Sequence, residues 1–281
     1  MSSVATATGA LLANGLIRIG LPVRRRSAWA PFIYLAVIAM AEWTTVAANA
    51  AGGLTLHAAI LLALLFHGAR CRAYRERALL WALALAPLIR VLSLSLPLAS
   101  FPVVYWYAII SVPAFIAIGV TGRVLGYSRQ DLGLSMRVAL VPLTLVMAGL
   151  GFGLAVVEYF ILLQPLPLVP NPTPSNTWQP ALILIVTTGF GEELLFRGLL
   201  QHAASEMLGA GSLLYVTVLF TSLHVGYGSL LNLAFVFAVG LLFAAIRWWT
   251  RSIVASAMAH STLNITLYLV APIIFAPVLA G

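Results

Sequence analysis

Long apolar segments, separated by short polar stretches, repeat along almost the whole chain. Apolar runs of about 18 or more residues recur, and a helix of that length can cross a bilayer. We count nine hydrophobic segments, and eight is equally acceptable because a short segment can be re-entrant or merged with a neighbour. Their expected positions are 31–51, 54–68, 78–98, 102–122, 138–163, a sixth beginning near Ala181, 212–226, 229–249 and 252–275. The pattern predicts an all-α, polytopic bundle of transmembrane helices.

The composition supports this prediction and excludes other classes of protein. Of the 281 residues, 62% are hydrophobic and only 8% are charged, and the mean hydropathy is +1.04, which is incompatible with a soluble domain of this size. The formal net charge of +8 could suggest nucleic acid. The arginines, however, lie in short clusters between the apolar segments, which is the distribution of the positive-inside rule. We therefore expect the lipid bilayer as a partner and no nucleic acid.

The arginine clusters also predict the orientation. The cluster between Arg70 and Arg77 and the loop from Gly122 to Met136 are expected to be cytoplasmic. The connection from Gln164 to Pro180 holds five prolines before Trp178 and no charge, so we expect an exterior, non-helical loop there. All fifteen basic residues are arginine, which together with abundant alanine is typical of a GC-rich bacterial genome. We therefore expect a multi-pass protein of the bacterial inner membrane. The single cysteine, Cys71, excludes an internal disulfide.

The chain divides into four parts that differ in their apolar segments and motifs. Residues 1–30 are predicted to be a cytoplasmic tail with an interfacial helix, because the arginines follow the weak apolar stretch, the reverse of a signal peptide. Residues 31–121 contain transmembrane segments without a recognised motif. Residues 122–275 carry the candidate chemistry, and residues 276–281 form a C-terminal tail.

The stretch from Gly189 to Leu200 places two carboxylates and a guanidinium inside an apolar segment. Ionisable groups within a membrane are costly and are therefore functional candidates. Glu193 and Arg197 are spaced i, i+4 on a helix and are expected to pair. The pairing leaves Glu192 without a local partner. A carboxylate in a dry environment beside a neutralised neighbour is a candidate general base.

Three further charges lie within apolar segments, and two histidines lie near the ends of the second one. We expect Arg90 to form a structural ion pair with Glu42 or Glu158. The alternative is an ion path in a small-solute transporter, which should show a paired, broken-helix repeat that this sequence lacks. His57 and His67 are expected to be interfacial.

Three polar residues in the last third complete a possible hydrolytic site. Phe220 precedes His224 by four residues at the end of one apolar segment, and His260 and Asn264 share a helix face in the last one. A lone histidine in an apolar helix more often packs against a neighbour. Together with Glu192, these residues supply a carboxylate base, a histidine to share its water and two donors for an oxyanion.

Zinc binding is the alternative use of the same residues. Glu192, His224 and His260 could form a two-histidine, one-carboxylate site. Against it, the sequence has no His-Glu-x-x-His helix, and the three groups come from separate segments. Asn264 is better suited as an amide donor than as a zinc ligand. We therefore expect no cofactor.

The three segments resemble the CPBP family, the CAAX-protease and bacteriocin-processing intramembrane proteins. The family motif Glu-Glu-x-x-x-Arg is matched by Glu192, Glu193 and Arg197, Phe-x-x-x-His by Phe220 and His224, and His-x-x-x-Asn by His260 and Asn264. The resemblance covers roughly residues 122–272. Three motifs in this order on successive segments are specific, whereas any one of them alone would not be.

The resemblance implies a glutamate-dependent membrane endopeptidase that acts on a peptide or membrane-attached protein. It implies that Glu192 activates water with His224, that His260 and Asn264 hold the oxyanion, and that Glu193 and Arg197 shape the site. Phe220 is expected to shape it as well. The alternative within the family is a non-catalytic immunity or assembly factor.

Overall fold

The computed structural model of the chain describes residues 29–162, 165–170 and 172–275. The predicted C-terminal tail, and the N-terminal tail apart from its last two residues, lie outside the described residues. All regular structure within the described ranges is helical. Eight helical stretches there are long and apolar enough to cross a membrane. The predicted all-α, polytopic bundle is therefore confirmed.

We number nine long helices in the described part of the chain. One of the eight spanning stretches, Ser175–Ser222, is 48 residues long and contains the sixth predicted segment and most of the seventh. We divide it at the short turn Gly209–Gly211. The helices are α1 (Ala30–Ala47), α2 (Ala50–Arg70), α3 (Tyr74–Ser95), α4 (Val103–Val124), α5 (Val138–Leu162), α6 (Pro174 to Leu208), α7 (Ser212–Ser222), α8 (Leu230–Thr250) and α9 (Val254–Ile274).

The start of α6 differs from the prediction. The connection after α5 was expected to be non-helical as far as Pro180, but the helix already begins at Pro174. The backbone N–H of Thr173 donates to the side chain of Asn176 at 2.6 Å, as in a capping box. A proline is tolerated in the first helical turn because its missing N–H would have no intrahelical partner there. The prediction was therefore wrong for the last part of this connection.

Small residues allow α9 to pack closely against α5 and α6. A side-chain carbon placed on Gly151 of α5 would lie 2.2 Å from the carbonyl oxygen of Ala259 in α9. A carbon placed on Gly189 of α6 would lie 1.9 Å from the hydroxyl of Ser261, also in α9. Small residues at such crossings are typical of membrane helices, which associate through close van der Waals contact. These contacts hold α9 against the helix that carries the two adjacent glutamates.

The expected ion pair of Arg90 is present, and it belongs to a buried cluster. Arg90 pairs with the buried carboxylate of Glu42, through its Nε at 2.5 Å. The same oxygen of Glu42 lies 3.2 Å from Nε2 of His57, which is fully buried. His57 is therefore not interfacial, and that prediction was wrong. Helix α2 starts four residues earlier than expected, so His57 lies well inside it.

The arginine-rich connections lie at one end of the bundle. The hydroxyl of Tyr74, at the start of α3, donates to the carbonyl of Leu125 at 2.8 Å. The guanidinium of Arg247, near the end of α8, donates to the carbonyl of Asp131 at 2.6 Å. The loop between α4 and α5 thus contacts both helices at the same end. This arrangement agrees with a common, positively charged side of the membrane.

Candidate active site

Helix α6 carries the Glu-Glu-x-x-x-Arg motif on a stretch of unusual helical geometry. The segments Ile185–Glu192 and Leu194–Leu200 are π-helical, with hydrogen bonds that skip one residue more than in an α-helix. Such segments are rare and occur frequently at functional sites. The two neighbouring carboxylates face different surroundings: the side chain of Glu193 is fully buried, whereas 33% of the side chain of Glu192 is exposed.

Glu193 and Arg197 form the expected ion pair. Nη1 of Arg197 lies 2.7 Å from Oε1 of Glu193, and both side chains are fully buried. Nη2 of Arg197 donates to the carbonyl of Gly240 in α8 at 3.1 Å. Its guanidinium also lies 4.4 Å from the ring centre of Phe220 in α7. Arg197 therefore neutralises Glu193 and connects α6 to α7 and α8.

His260 lies between the two carboxylates. Its Nδ1 is 3.1 Å from Oε1 of Glu193. Because an ionised carboxylate only accepts hydrogen bonds, Nδ1 donates to it. Its Nε2 is 3.9 Å from Oε2 of Glu192, which is too far for a direct hydrogen bond. The ring thus presents Nε2 towards Glu192.

His224, two residues beyond the end of α7, is oriented by the last turn of that helix. Its Nδ1 lies 2.7 Å from the carbonyl oxygen of Phe220, four residues earlier. A carbonyl only accepts, so Nδ1 carries the proton, and in the neutral ring Nε2 is left as an acceptor. The ring of Phe220 lies between the two histidines, with centre-to-centre distances of 4.5 Å to His224 and 6.3 Å to His260. His224 therefore has the tautomer that a proton acceptor needs.

Asn264 connects α9 back to α6. Its Nδ2 donates to the hydroxyl of Thr188 at 2.9 Å, and that hydroxyl donates to the carbonyl of Leu184. An amide nitrogen carries two hydrogens, so one remains for another acceptor. The motif pattern did not indicate Thr188, which fixes the orientation of the Asn264 amide.

The predicted site residues are divided between two cavities. Glu192 lines a cavity of about 260 Å³ bounded by α3, α4 and α6, together with Arg90, Tyr107 and Thr188. A second cavity of about 50 Å³ is lined by a larger set of residues from α5, α7, α8 and α9, among them His224, His260 and Asn264. The two cavities are adjacent at one point: Nε2 of His260, which lines the second cavity, lies 3.9 Å from Oε2 of Glu192, which lines the first.

The structure places Glu158 differently from the expectation. It was one of two expected partners of Arg90, but Arg90 pairs with Glu42, and Glu158 lines the second cavity beside His260. Tyr227 and Tyr268 line the same cavity. The signal was available in the sequence, because a carboxylate inside an apolar segment is a functional candidate by default. An ion pair with Arg90 was the simpler explanation for the same carboxylate.

No group of three histidine, cysteine, aspartate or glutamate side chains within the described ranges is arranged so that it could hold a metal ion. Nδ1 of His260 and Nδ1 of His224 are each engaged by an acceptor. Their Nε2 atoms and the carboxylate of Glu192 are the groups left for substrate and water. The arrangement offers a carboxylate, two imidazoles and an amide around one short stretch of α6.

Comparison with known proteins supports the interpretation of the motifs. No curated protein and no solved structure matches the chain. One family model does match, over residues 174–266, and this range includes all three motifs. The family is described as type II CAAX prenyl endopeptidase, Rce1-like. The resemblance seen in the sequence is thereby confirmed: this part of the chain is similar to the Rce1-like CAAX endopeptidases.

Proposed function

We propose that the protein is an intramembrane endopeptidase that hydrolyses peptide bonds of membrane-associated proteins or peptides. The proposal rests on the different surroundings of the two adjacent glutamates. Glu193 is buried and bound by Arg197 and His260, whereas Glu192 is partly exposed to a cavity. Glu193 therefore positions the neighbouring side chains, and Glu192 is available to react with water and substrate.

In the proposed mechanism, Glu192 and His224 activate a water molecule. A proton from the water passes to the carboxylate of Glu192 or to the free Nε2 of His224, and the resulting hydroxide attacks the carbonyl carbon of the scissile peptide bond. The leaving nitrogen then takes up the proton as the C–N bond breaks. The carboxylate of Glu192 is ionised again at the end of the cycle.

His260 and Asn264 are proposed to stabilise the negative oxygen of the tetrahedral intermediate. With Nδ1 donating to Glu193, Nε2 of His260 can donate only when the ring is the imidazolium cation. The neighbouring carboxylates of Glu193 and Glu192 favour that cation electrostatically. The free amide hydrogen of Asn264 is the second donor. Losing one donor of this kind typically costs about 10²–10³ in rate.

The cavity in front of Glu192 is proposed to hold the substrate. It lies between α3, α4 and α6, and its lining is predominantly apolar, as expected for a segment delivered from the bilayer. The description of the matched family makes prenylated CAAX termini the first substrates to test.

The test is a comparison of membrane proteomes from cells that contain the native protein or Glu192→Gln at equal abundance. The substitution keeps the shape of the side chain and removes the base, so substrates should persist uncleaved. Glu206→Gln, at a glutamate outside the site, is the control. If the Glu192→Gln proteome equals the native one while deletion of the protein changes it, the protein is a non-catalytic scaffold and the proposal fails.

A further inference from the structure

A third cavity, with a polar lining, lies at the arginine-rich end of the bundle, away from the proposed active site. Its volume is about 220 Å³. It is lined by the loop between α4 and α5, by α6 and by the end of α8, through Gln130, Asp131, Ser135, Arg137, His202, Arg247 and Arg251. Three guanidinium groups therefore meet one carboxylate.

The carboxylate of Asp131 is already engaged through one of its oxygens, Oδ2. It accepts hydrogen bonds from the backbone N–H of Ser128 at 2.8 Å and from the hydroxyl of Ser128 at 2.7 Å. Among the described residues, none of the three arginines forms a salt bridge. With three guanidinium groups and a single carboxylate, the lining of the cavity has an excess of positive charge.

Arg247 is built into the wall of this cavity. It is 5% exposed, and its Nη2 donates to the carbonyl of Asp131 at 2.6 Å. Its Nε is buried without a hydrogen-bond partner in the described structure. A side-chain carbon on Gly133 would lie 2.8 Å from this Nε, so the guanidinium packs directly on the glycine backbone. A buried, charged donor without a partner is costly, and an anion in the cavity would offset that cost.

The residues around the cavity are of the kinds found at a membrane interface. Met136, just before α5, and Val138, its first residue, are apolar and more than four-fifths exposed, which suits contact with lipid. Trp248 and Trp249 at the end of α8 are typical of the headgroup region. Basic pockets between helices at this depth are suited to phosphate headgroups.

We propose that this cavity binds an anionic phosphate group, held by Arg137, Arg247 and Arg251. The phosphate of an anionic lipid and a free phosphate share this chemistry, and the experiment separates them. Guanidinium groups are matched to phosphate oxygens by geometry as well as by charge. The inference is independent of the proposed peptidase activity.

The test measures lipid binding to the purified full chain in a neutral detergent by native mass spectrometry. Phosphatidylglycerol, phosphatidylcholine and inorganic phosphate are the three probes. The test variant is the double substitution Arg137→Gln with Arg251→Gln, because both side chains are exposed and the fold should tolerate their loss. Arg129→Gln is the matched control, an exposed arginine of the same loop that does not line the cavity.

Phosphatidylglycerol should bind the native chain and Arg129→Gln equally. Binding should weaken about tenfold or more in the double variant, the loss expected for charge-assisted hydrogen bonds. Saturation by inorganic phosphate, with the same loss in the double variant, would identify a soluble phosphate as the ligand. Equal binding of phosphatidylcholine, an equal loss in Arg129→Gln or an unchanged double variant would overturn the proposal.

Discussion

The buried carboxylate of Glu193 accepts a hydrogen bond from Nδ1 of His260, at 3.1 Å. The two residues are 67 positions apart in the sequence, on α6 and α9. The bond determines which ring nitrogen is available: Nδ1 is occupied, and Nε2 is presented to Glu192. Glu193 thus acts on the candidate active site through the orientation of a histidine.

The first prediction concerns Glu193. In Glu193→Gln the neutral amide should leave Arg197 buried without its counter-ion, and breaking a buried pair in this way costs about 3–5 kcal/mol. We expect a lower unfolding temperature in detergent and lower abundance in the membrane. Thermal unfolding of the purified variant, followed by circular dichroism, measures the effect.

Glu192→Gln is the matched comparison, because the two glutamates are adjacent and receive the same substitution. It should unfold at nearly the native temperature, since the Glu192 side chain is partly exposed and forms no hydrogen bond among the described residues, yet it should lose turnover. If Glu192→Gln unfolded early and Glu193→Gln retained native stability, the two roles would be exchanged.

A second prediction concerns Glu158, which lines the cavity that also contains His224, His260 and Asn264. Its carboxylate should favour the imidazolium form of His260, the form needed to donate to the oxyanion. Glu158→Gln should therefore lower kcat less than Glu192→Gln does and leave the unfolding temperature close to native. Glu42→Gln, at a buried glutamate paired with Arg90, is the contrast and should destabilise the fold. An unchanged kcat in Glu158→Gln would exclude this role.

Local spacing was sufficient to predict some contacts and insufficient for others. The pair of Glu193 with Arg197 follows from the i, i+4 spacing on one helix, and the eight or nine apolar segments follow from their length alone. The bond between Glu193 and His260 could not be predicted without a fold, because it depends on how α9 packs against α6. The prediction that His57 is interfacial was wrong because α2 begins earlier than expected and because its partner Glu42 lies on another helix.

Helix packing accounts for a third prediction. Gly151 lies so close to the backbone of Ala259 that any side-chain carbon would clash. Gly151→Ala should therefore separate α5 from α9 and destabilise the protein by about 1–3 kcal/mol, the usual cost of overpacking. Gly153→Ala is the control, because open space surrounds that glycine two residues further along α5. Thermal unfolding should distinguish the two variants, and equal unfolding temperatures would show that α5 and α9 are not closely packed.

The loop between α4 and α5 gives a fourth prediction. The hydroxyl and backbone N–H of Ser128 hold the pKa of Asp131 below its usual range, and His202 of α6 and Arg247 of α8 also face this carboxylate. A lowered pKa contributes stability that is present above the unfolded pKa and is lost as the pH falls through the folded one. Ser128→Ala should therefore lower the unfolding temperature at neutral pH and reduce its decrease between about pH 5 and about pH 2. Ser128→Thr, which retains a hydroxyl, should follow the native curve, and parallel curves for native and Ser128→Ala would contradict this account.

The last prediction concerns metal. The water could be activated by a carboxylate and a histidine or by a zinc ion, and zinc needs about three protein ligands and an open position. Glu192, His224 and His260 are the candidate ligands, but each histidine donates from Nδ1, and the Nε2 of His260 is used in the proposed oxyanion site. Only two groups, Glu192 and His224, then remain for a metal.

We therefore expect catalysis without metal. Protein treated with a strong chelator should keep its activity, and elemental analysis should find no stoichiometric zinc. Glu192→Asp separates metal-free from zinc-dependent catalysis further. The shorter side chain moves the carboxylate away from the water, so the rate should fall. Added zinc should not restore the lost rate. Activity that disappears with chelator and returns with Zn²⁺ would instead make Glu192, His224 and His260 ligands. That result would replace the mechanism, while the peptidase assignment would stand because the same groups would still act on a bound water.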